Sequence, residues 1–188
     1  MISMEEVASK VKECQKCALH ETRTNAVPGA GGVSKGVMFI GEAPGYWEDQ
    51  KGIPFVGRAG KILDELLEDV GLSRDDVFIT NILKCRPPKN RDPEKEEIKK
   101  CTHYLDRQIE VMQPKVLVAL GRFSMDFLFE KYGLPKARIS EVHGKAFSVQ
   151  TLNGQIKLLA LYHPAVATYN PNYKKTLLED FKKLKELI

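Results

Sequence analysis

The chain has 188 residues, enough for one domain with a substantial core, and its 43% hydrophobic and 29% charged content fits a globular protein, not a disordered or fibrous one. The net charge of +4 is compatible with a polyanionic partner but does not require one, since Lys-rich helices alone give such an excess. No apolar run is long enough to cross a membrane, and residues 1–13 are charged and lack the apolar core of a signal sequence, so a cytoplasmic protein with reduced thiols is expected.

Residues 4–13 read as a short helix leading to the pair Cys14-Gln-Lys-Cys17. Val37-Met-Phe-Ile40 is a continuous apolar run, the mark of a strand buried on both faces, and it empties into the tight loop Gly41-Glu42-Ala43-Pro44-Gly45. Residues 58–70 carry Ile62, Leu63, Leu66, Leu67 and Val70 at helical spacing, closed by Gly71. Val77–Ile82 is a second strand. A charged amphipathic helix over 94–112 follows, with Pro93 near its start. Val116–Leu120 is a third strand, ending in Gly121-Arg122, and residues 123–132 form the next helix. Ile156–Leu161 is the fourth strand, followed at once by Tyr162-His163-Pro164-Ala165, and residues 173–187 form the last helix. Strand–helix alternation of this kind predicts a parallel sheet covered on both faces, in one domain without repeats or an interdomain linker.

In an open parallel sheet, ligands bind outside the carboxyl ends of the strands. Glu42, Asn81 and His163 all sit at such ends, so a carboxylate, a carboxamide and an imidazole are expected in one crevice. None is specific alone, because a lone Asn at a strand end is usually a turn residue and a lone His is usually structural. The first loop is no dinucleotide fingerprint: it lacks G-x-G-x-x-G spacing and places Pro where the backbone would approach a pyrophosphate.

The four cysteines form the pattern C-x2-C … C-x15-C, with Cys14 and Cys17 in one pair and Cys85 and Cys101 in the other. Four thiolates close a tetrahedral zinc site or hold the corners of an iron–sulfur cluster, and spacing alone does not choose between them.

Four stretches occur together and in order: Gly41-Glu-Ala-Pro-Gly45 with Glu48, Gly52-Ile-Pro-Phe55-Val-Gly57-Arg-Ala-Gly60, Asn81-Ile-Leu-Lys-Cys85-Arg-Pro-Pro88, and His163-Pro-Ala165. With the four cysteines they resemble the family 4 uracil-DNA glycosylases, the iron–sulfur type, over residues 14–165, nearly the whole chain. The resemblance implies a three-layer α/β/α sandwich around a four-stranded parallel sheet, and cleavage of the N-glycosidic bond of deoxyuridine in DNA. It prefers a [4Fe–4S] cluster over zinc on Cys14, Cys17, Cys85 and Cys101, pinning the N-terminal arm against the sheet. It also implies uracil-containing DNA as partner and a monomer, and leaves room for a repair or replication-clamp partner.

The residues suit that chemistry. A uracil flipped out of the stack needs a flat apolar surface, which Phe55 offers, and an edge reader that both donates and accepts, which the Asn81 amide offers. The strand-end backbone from Gly41 through Glu42 and Ala43 is placed to bind further base oxygens. A neutral His163 donating to uracil O2 would stabilise the leaving anion. Better-known members of the wider superfamily carry an Asp in the first motif to orient water. Here Ala43 stands at that position, so Glu42 is the expected functional carboxylate and Glu48 a pocket-wall residue that excludes the thymine methyl. The alternative for Glu42 is a carboxylate that only braces its own loop. Arg58, Lys84, Arg86, Lys89, Arg91 and Arg122 are candidate phosphate contacts, with Arg86, Lys89 and Arg91 on a Pro-stiffened loop beside the cluster cysteines. Tyr169 is the candidate wedge that fills the gap left by the flipped base. Two other classes stay open: a non-catalytic nucleic-acid-binding module with a structural metal, and a nucleotide-dependent enzyme on a similar sheet. The convergent strand ends speak against the first, and the lack of a Gly-rich phosphate cradle against the second.

Overall fold

A computed structural model describes residues 2–188. Its centre is a six-stranded mixed sheet built from β1 (Ala30–Gly31), β2 (Val37–Gly41), β3 (Phe78–Asn81), β4 (Val116–Leu120), β5 (Ala146–Thr151) and β6 (Gly154–Leu161), in the order β1-β3-β2-β4-β6-β5. The four central strands β3, β2, β4 and β6 are mutually parallel, as the sequence predicts. The strand count is corrected by two antiparallel edges, β1 on β3 and β5 on β6. Neither edge carries the continuous apolar run of a strand buried on both faces. β1 is an Ala-Gly pair, and β5 places only Val149 in the core. The two-residue turn Leu152-Asn153 folds β5 onto β6, with Thr151 paired to Gly154 across the hairpin.

Nine helices complete the chain: α1 (Met4–Lys12), α2 (Leu19–Thr22), α3 (Tyr46–Lys51), α4 (Arg58–Asp69), α5 (Lys95–Met112), α6 (Arg122–Lys131), α7 (Ile139–Val142), α8 (Val166–Tyr169) and α9 (Asn172–Lys185), among the described residues. Side chains of β2 alternate between two cores, which makes the structure three layers thick. Val37 and Phe39 meet Leu63, Leu66 and Leu67 of α4 and Leu177, Phe181 and Leu184 of α9. Met38 and Ile40 face Leu105 of α5 and Met125, Leu128 and Phe129 of α6. A third cluster joins the N-terminal arm to the body, with Val7, Val11 and Leu19 against Leu83, Cys85, Cys101 and Tyr104. None of the helices is long and apolar enough to cross a membrane among the described residues.

This topology sets the site. Gly41 and Asn81 are directly paired across the β2–β3 ladder, and β4 lies on the other side of β2. Beyond the strand ends, the amides of Ile82 and Leu83 donate to Gly41 O and Glu42 O, each at 3.0 Å, so the two motif loops leave the sheet side by side.

Candidate active site

Glu42, Ala43, Glu48, Phe55, Asn81 and His163 line one open crevice above the carboxyl ends of the central strands, together with Arg91 and Tyr169 from its rims. Gly41, the last residue of β2, makes room for two of these side chains by having none of its own. A Cβ there would collide with Asn81 Oδ1 and stand 2.8 Å from Phe55 Cζ. Asn81 itself is 2% exposed, and its Oδ1 is buried without a hydrogen-bond partner. A buried acceptor left unpaired costs about 1–3 kcal/mol, so this atom is short of one N–H donor.

Phe55 closes the apolar side. It belongs to the core beneath α4, yet its ring reaches the crevice and stacks on the His163 imidazole, with centroids 5.4 Å apart and planes at 25°. Its backbone sits at φ 54°, a left-handed conformation that costs a non-glycine residue about 1 kcal/mol or more and needs support. The support comes from both sides. Arg74 donates to Pro54 O at 2.8 Å and to Phe55 O, while ion-paired to Asp64. Glu48 Oε1 accepts from the amides of Val56 and Gly57, both at 2.9 Å.

The two carboxylates therefore have different environments. The loop-bracing role considered for Glu42 falls to Glu48. Glu42 points its carboxyl into the crevice, where burial, with added repulsion from Asp92 and some relief from Arg122, raises it to about 7. Such a group is poised between acid and base at neutral pH.

His163 is held as a neutral donor. The Ala165 amide donates to its Nδ1 at 3.1 Å, which leaves the ring proton on Nε2, facing away from the turn. Burial pushes its imidazolium down to about 4, against a raising pull from Glu48. Gly121, at φ 91° beyond β4, lets the ring's backbone approach, since a Cβ there would stand 3.0 Å from His163 Cβ.

The expected cations are not equivalent. Lys84 is corrected: it is 1% exposed, and its Nζ donates to Thr80 Oγ1 at 2.6 Å, Gln108 Oε1 at 2.7 Å and Asn81 O at 2.8 Å. It cannot reach a phosphate, and instead ties the end of β3 to α5. Arg91 grips Glu97 through two bonds of 2.6 and 3.0 Å, and Arg122 pairs with Asp92 at 2.6 Å. Arg86 bonds Asn90 Oδ1 at 2.6 Å, while Lys89 and Arg58 stand exposed. Tyr169 is 88% exposed on the crevice rim.

Behind the crevice, the four free cysteines ring a single cavity between the α1–α2 connection and the start of α5. The donors around it suit sulfur bound as thiolate: Arg23 Nη1 donates to Cys85 Sγ at 3.1 Å, and the Lys84 amide donates to Cys101 Sγ at 3.3 Å. Burial raises both thiols, Cys101 to about 12, so a metal is what would make them thiolates at neutral pH. Among the described residues no group of three or more His, Cys, Asp or Glu side chains closes to the spacing of a single-ion site.

A family model described as the uracil DNA glycosylase superfamily matches residues 28–185. The chain is 50% identical over 188 residues to the type-4 uracil-DNA glycosylase of Sulfurisphaera tokodaii, covering 100% of this chain and 86% of that protein. It is 49% identical over 187 residues to the type-4 uracil-DNA glycosylase of Archaeoglobus fulgidus, covering 100% and 94%. The type-4 uracil-DNA glycosylase of Thermotoga maritima is 42% identical over 187 residues, covering 98% and 94%. The chain with these strand ends and these four cysteines thus belongs to the uracil DNA glycosylase superfamily, among its type-4 members.

Proposed function

We infer that this protein is a DNA repair glycosylase that releases uracil from DNA and leaves an abasic site. The observation that carries the reading is the unpaired Oδ1 of Asn81, buried beside Phe55 at the base of a crevice that also holds Glu42 and His163. Uracil N3–H would donate to Oδ1, and the same amide would donate to uracil O4. Phe55 supplies the stacking face. As the bond between C1′ and N1 breaks, the sugar becomes cationic and uracil leaves as an anion. His163 Nε2–H donates to uracil O2 and stabilises that charge without giving up its proton. Water adds to C1′, and Glu42 in its ionised form accepts the water's proton. The deciding experiment is incubation with a uracil-containing oligonucleotide, then alkali to cut abasic sites. Cleavage at the uracil position is expected, and an intact strand would sink the reading.

Base reading makes a separate expectation. Asn81→Asp should excise uracil more slowly and gain activity on cytosine, because a carboxylate cannot donate to uracil O4 but accepts from the cytosine amino group. Removing one such pairing typically costs roughly 1–3 kcal/mol. Rates on strands carrying either base measure it, and unchanged uracil selectivity would place base reading elsewhere.

The cysteine cavity fits a [4Fe–4S] cluster held by Cys14, Cys17, Cys85 and Cys101. Sulfurs on one zinc stand within about 4 Å of each other, whereas a cluster spreads its ligands around a larger body. When bound, the cluster would pin the arm and the 86–91 loop to the sheet. Cys85→Ser or Cys101→Ser should lose iron, melt at lower temperature and bind DNA more weakly, since metal binding is coupled to folding. Iron content, visible absorbance, melting temperature and DNA affinity are compared with the parent. Iron loss with unchanged stability and affinity would refute the structural role.

A further inference from the structure

We propose that Tyr46 and Trp47 form a second base-binding subsite, a stacking step at the crevice mouth that takes the base next to the flipped uridine on the same strand. The proposal rests on the glycosylase reading and extends it to the neighbouring nucleotide. Trp47 is 56% and Tyr46 48% exposed, although both are large and apolar enough to be buried elsewhere. They sit edge to face, with centroids 5.1 Å apart and planes at 80°, and they line the same crevice as Glu42, Asn81 and His163.

The step is built on a fixed support. Tyr46, Trp47 and Glu48 are consecutive in α3, and Glu48 is anchored to the Val56 and Gly57 amides. One residue on, Asp49 is 3% exposed and accepts from the Thr24 amide at 2.9 Å. Its charge surroundings point to nucleic acid. The Arg86 guanidinium lies 5.3 Å from the Tyr46 ring centroid and is fixed by Asn90, and Arg58 lines the same mouth. Cations beside exposed rings are what a single strand needs, phosphate contacts beside a stacking face. Every base has such a face, so the step tolerates any flanking sequence. A flanking base can use it only by leaving its own stack, which favours uracil in single-stranded or locally opened DNA over uracil in a closed duplex.

Trp47 is the sole tryptophan, so emission excited beyond the tyrosine absorption comes from this step. The test uses short single strands with one uracil, either complete or with the base removed from the 5′ or the 3′ neighbour. Emission is followed for the parent, and steady-state kinetics for the parent, Trp47→Ala and Trp47→Phe. The complete strand should quench Trp47 emission in the parent. Removing the base from one of the two neighbours should abolish the quench and raise KM about tenfold, with kcat little changed. Trp47→Ala should show the raised KM on the complete strand and no further rise when that base is missing, and Trp47→Phe should restore most of the affinity. On a closed duplex the same substitutions should matter less. A parent that excises uracil while its emission and KM ignore both neighbouring bases overturns the proposal, and that result needs no variant. Failure to excise uracil from any strand overturns the reaction instead. Emission then still decides the stacking step through a uracil-free single strand: quenching upholds it, and unchanged emission overturns it.

Discussion

Replacing His163 with alanine should slow uracil release by roughly 10²–10³-fold, about 3–4 kcal/mol of barrier, while DNA affinity changes little. The expectation follows from how the ring is held. Its Nδ1 already accepts from the Ala165 amide, so only Nε2 carries a proton, and burial keeps the imidazolium pKa near 4. At neutral pH the ring is therefore a neutral donor held in place, which is what the proposed role at an oxyanion formed as the glycosidic bond breaks would need. Because that donor is already neutral well below pH 7, its loss should lower the plateau of the pH–rate profile without moving its midpoint. Single-turnover rates at saturating enzyme separate the effect from binding. Wild-type turnover in His163→Ala would remove the ring from the mechanism, and loss of affinity with normal turnover would make it a binding group only.

The central strands were legible in the sequence because burial on both faces demands continuous apolar runs, as in Val37–Ile40 and Val116–Leu120. The edges were not, because β1 and β5 have little to bury. The meeting of Glu42, Asn81 and His163 in one crevice was legible for the same reason as the strands, since where an apolar run stops a polar residue stands at the sheet's carboxyl edge. Division of labour between Glu42 and Glu48 was not, because it depends on which carboxyl the Val56–Gly57 backbone folds onto. Lys84 misled in a similar way. A lysine reads as a surface cation until Thr80, Asn81 and Gln108 are seen to surround it with acceptors. Arg74, which props the Phe55 loop, carries no motif at all, and its role exists only once Pro54 and Phe55 turn their carbonyls toward it.

Glu42→Gln should lower excision by roughly 10²–10⁴-fold, the usual contribution of a positioned general base. It should also remove a pH dependence that the parent shows. Burial, reinforced by Asp92 and opposed by Arg122, raises the Glu42 carboxyl to about 7, so a reaction that needs its ionised form should gain rate as pH rises through about 7 and level off above it. The glutamine variant should be slow and flat across that range. Stability should move the other way. The folded-state pKa lies above the ordinary value of 4.5, so the folded protein holds this proton more tightly than the unfolded chain. That contribution is fully present below about pH 4.5 and is lost as pH rises through about 7. Glutamine cannot ionise, so Glu42→Gln should melt above the parent at about pH 8, and the difference should vanish near pH 4. A catalytic carboxylate kept in the crevice at a cost to the fold predicts both signs together. A flat pH–rate profile in the parent, or a variant that keeps its rate, would assign the water-orienting role to another group. A variant that melts lower at about pH 8 would mean that Glu42 contributes hydrogen bonds to the loop after all.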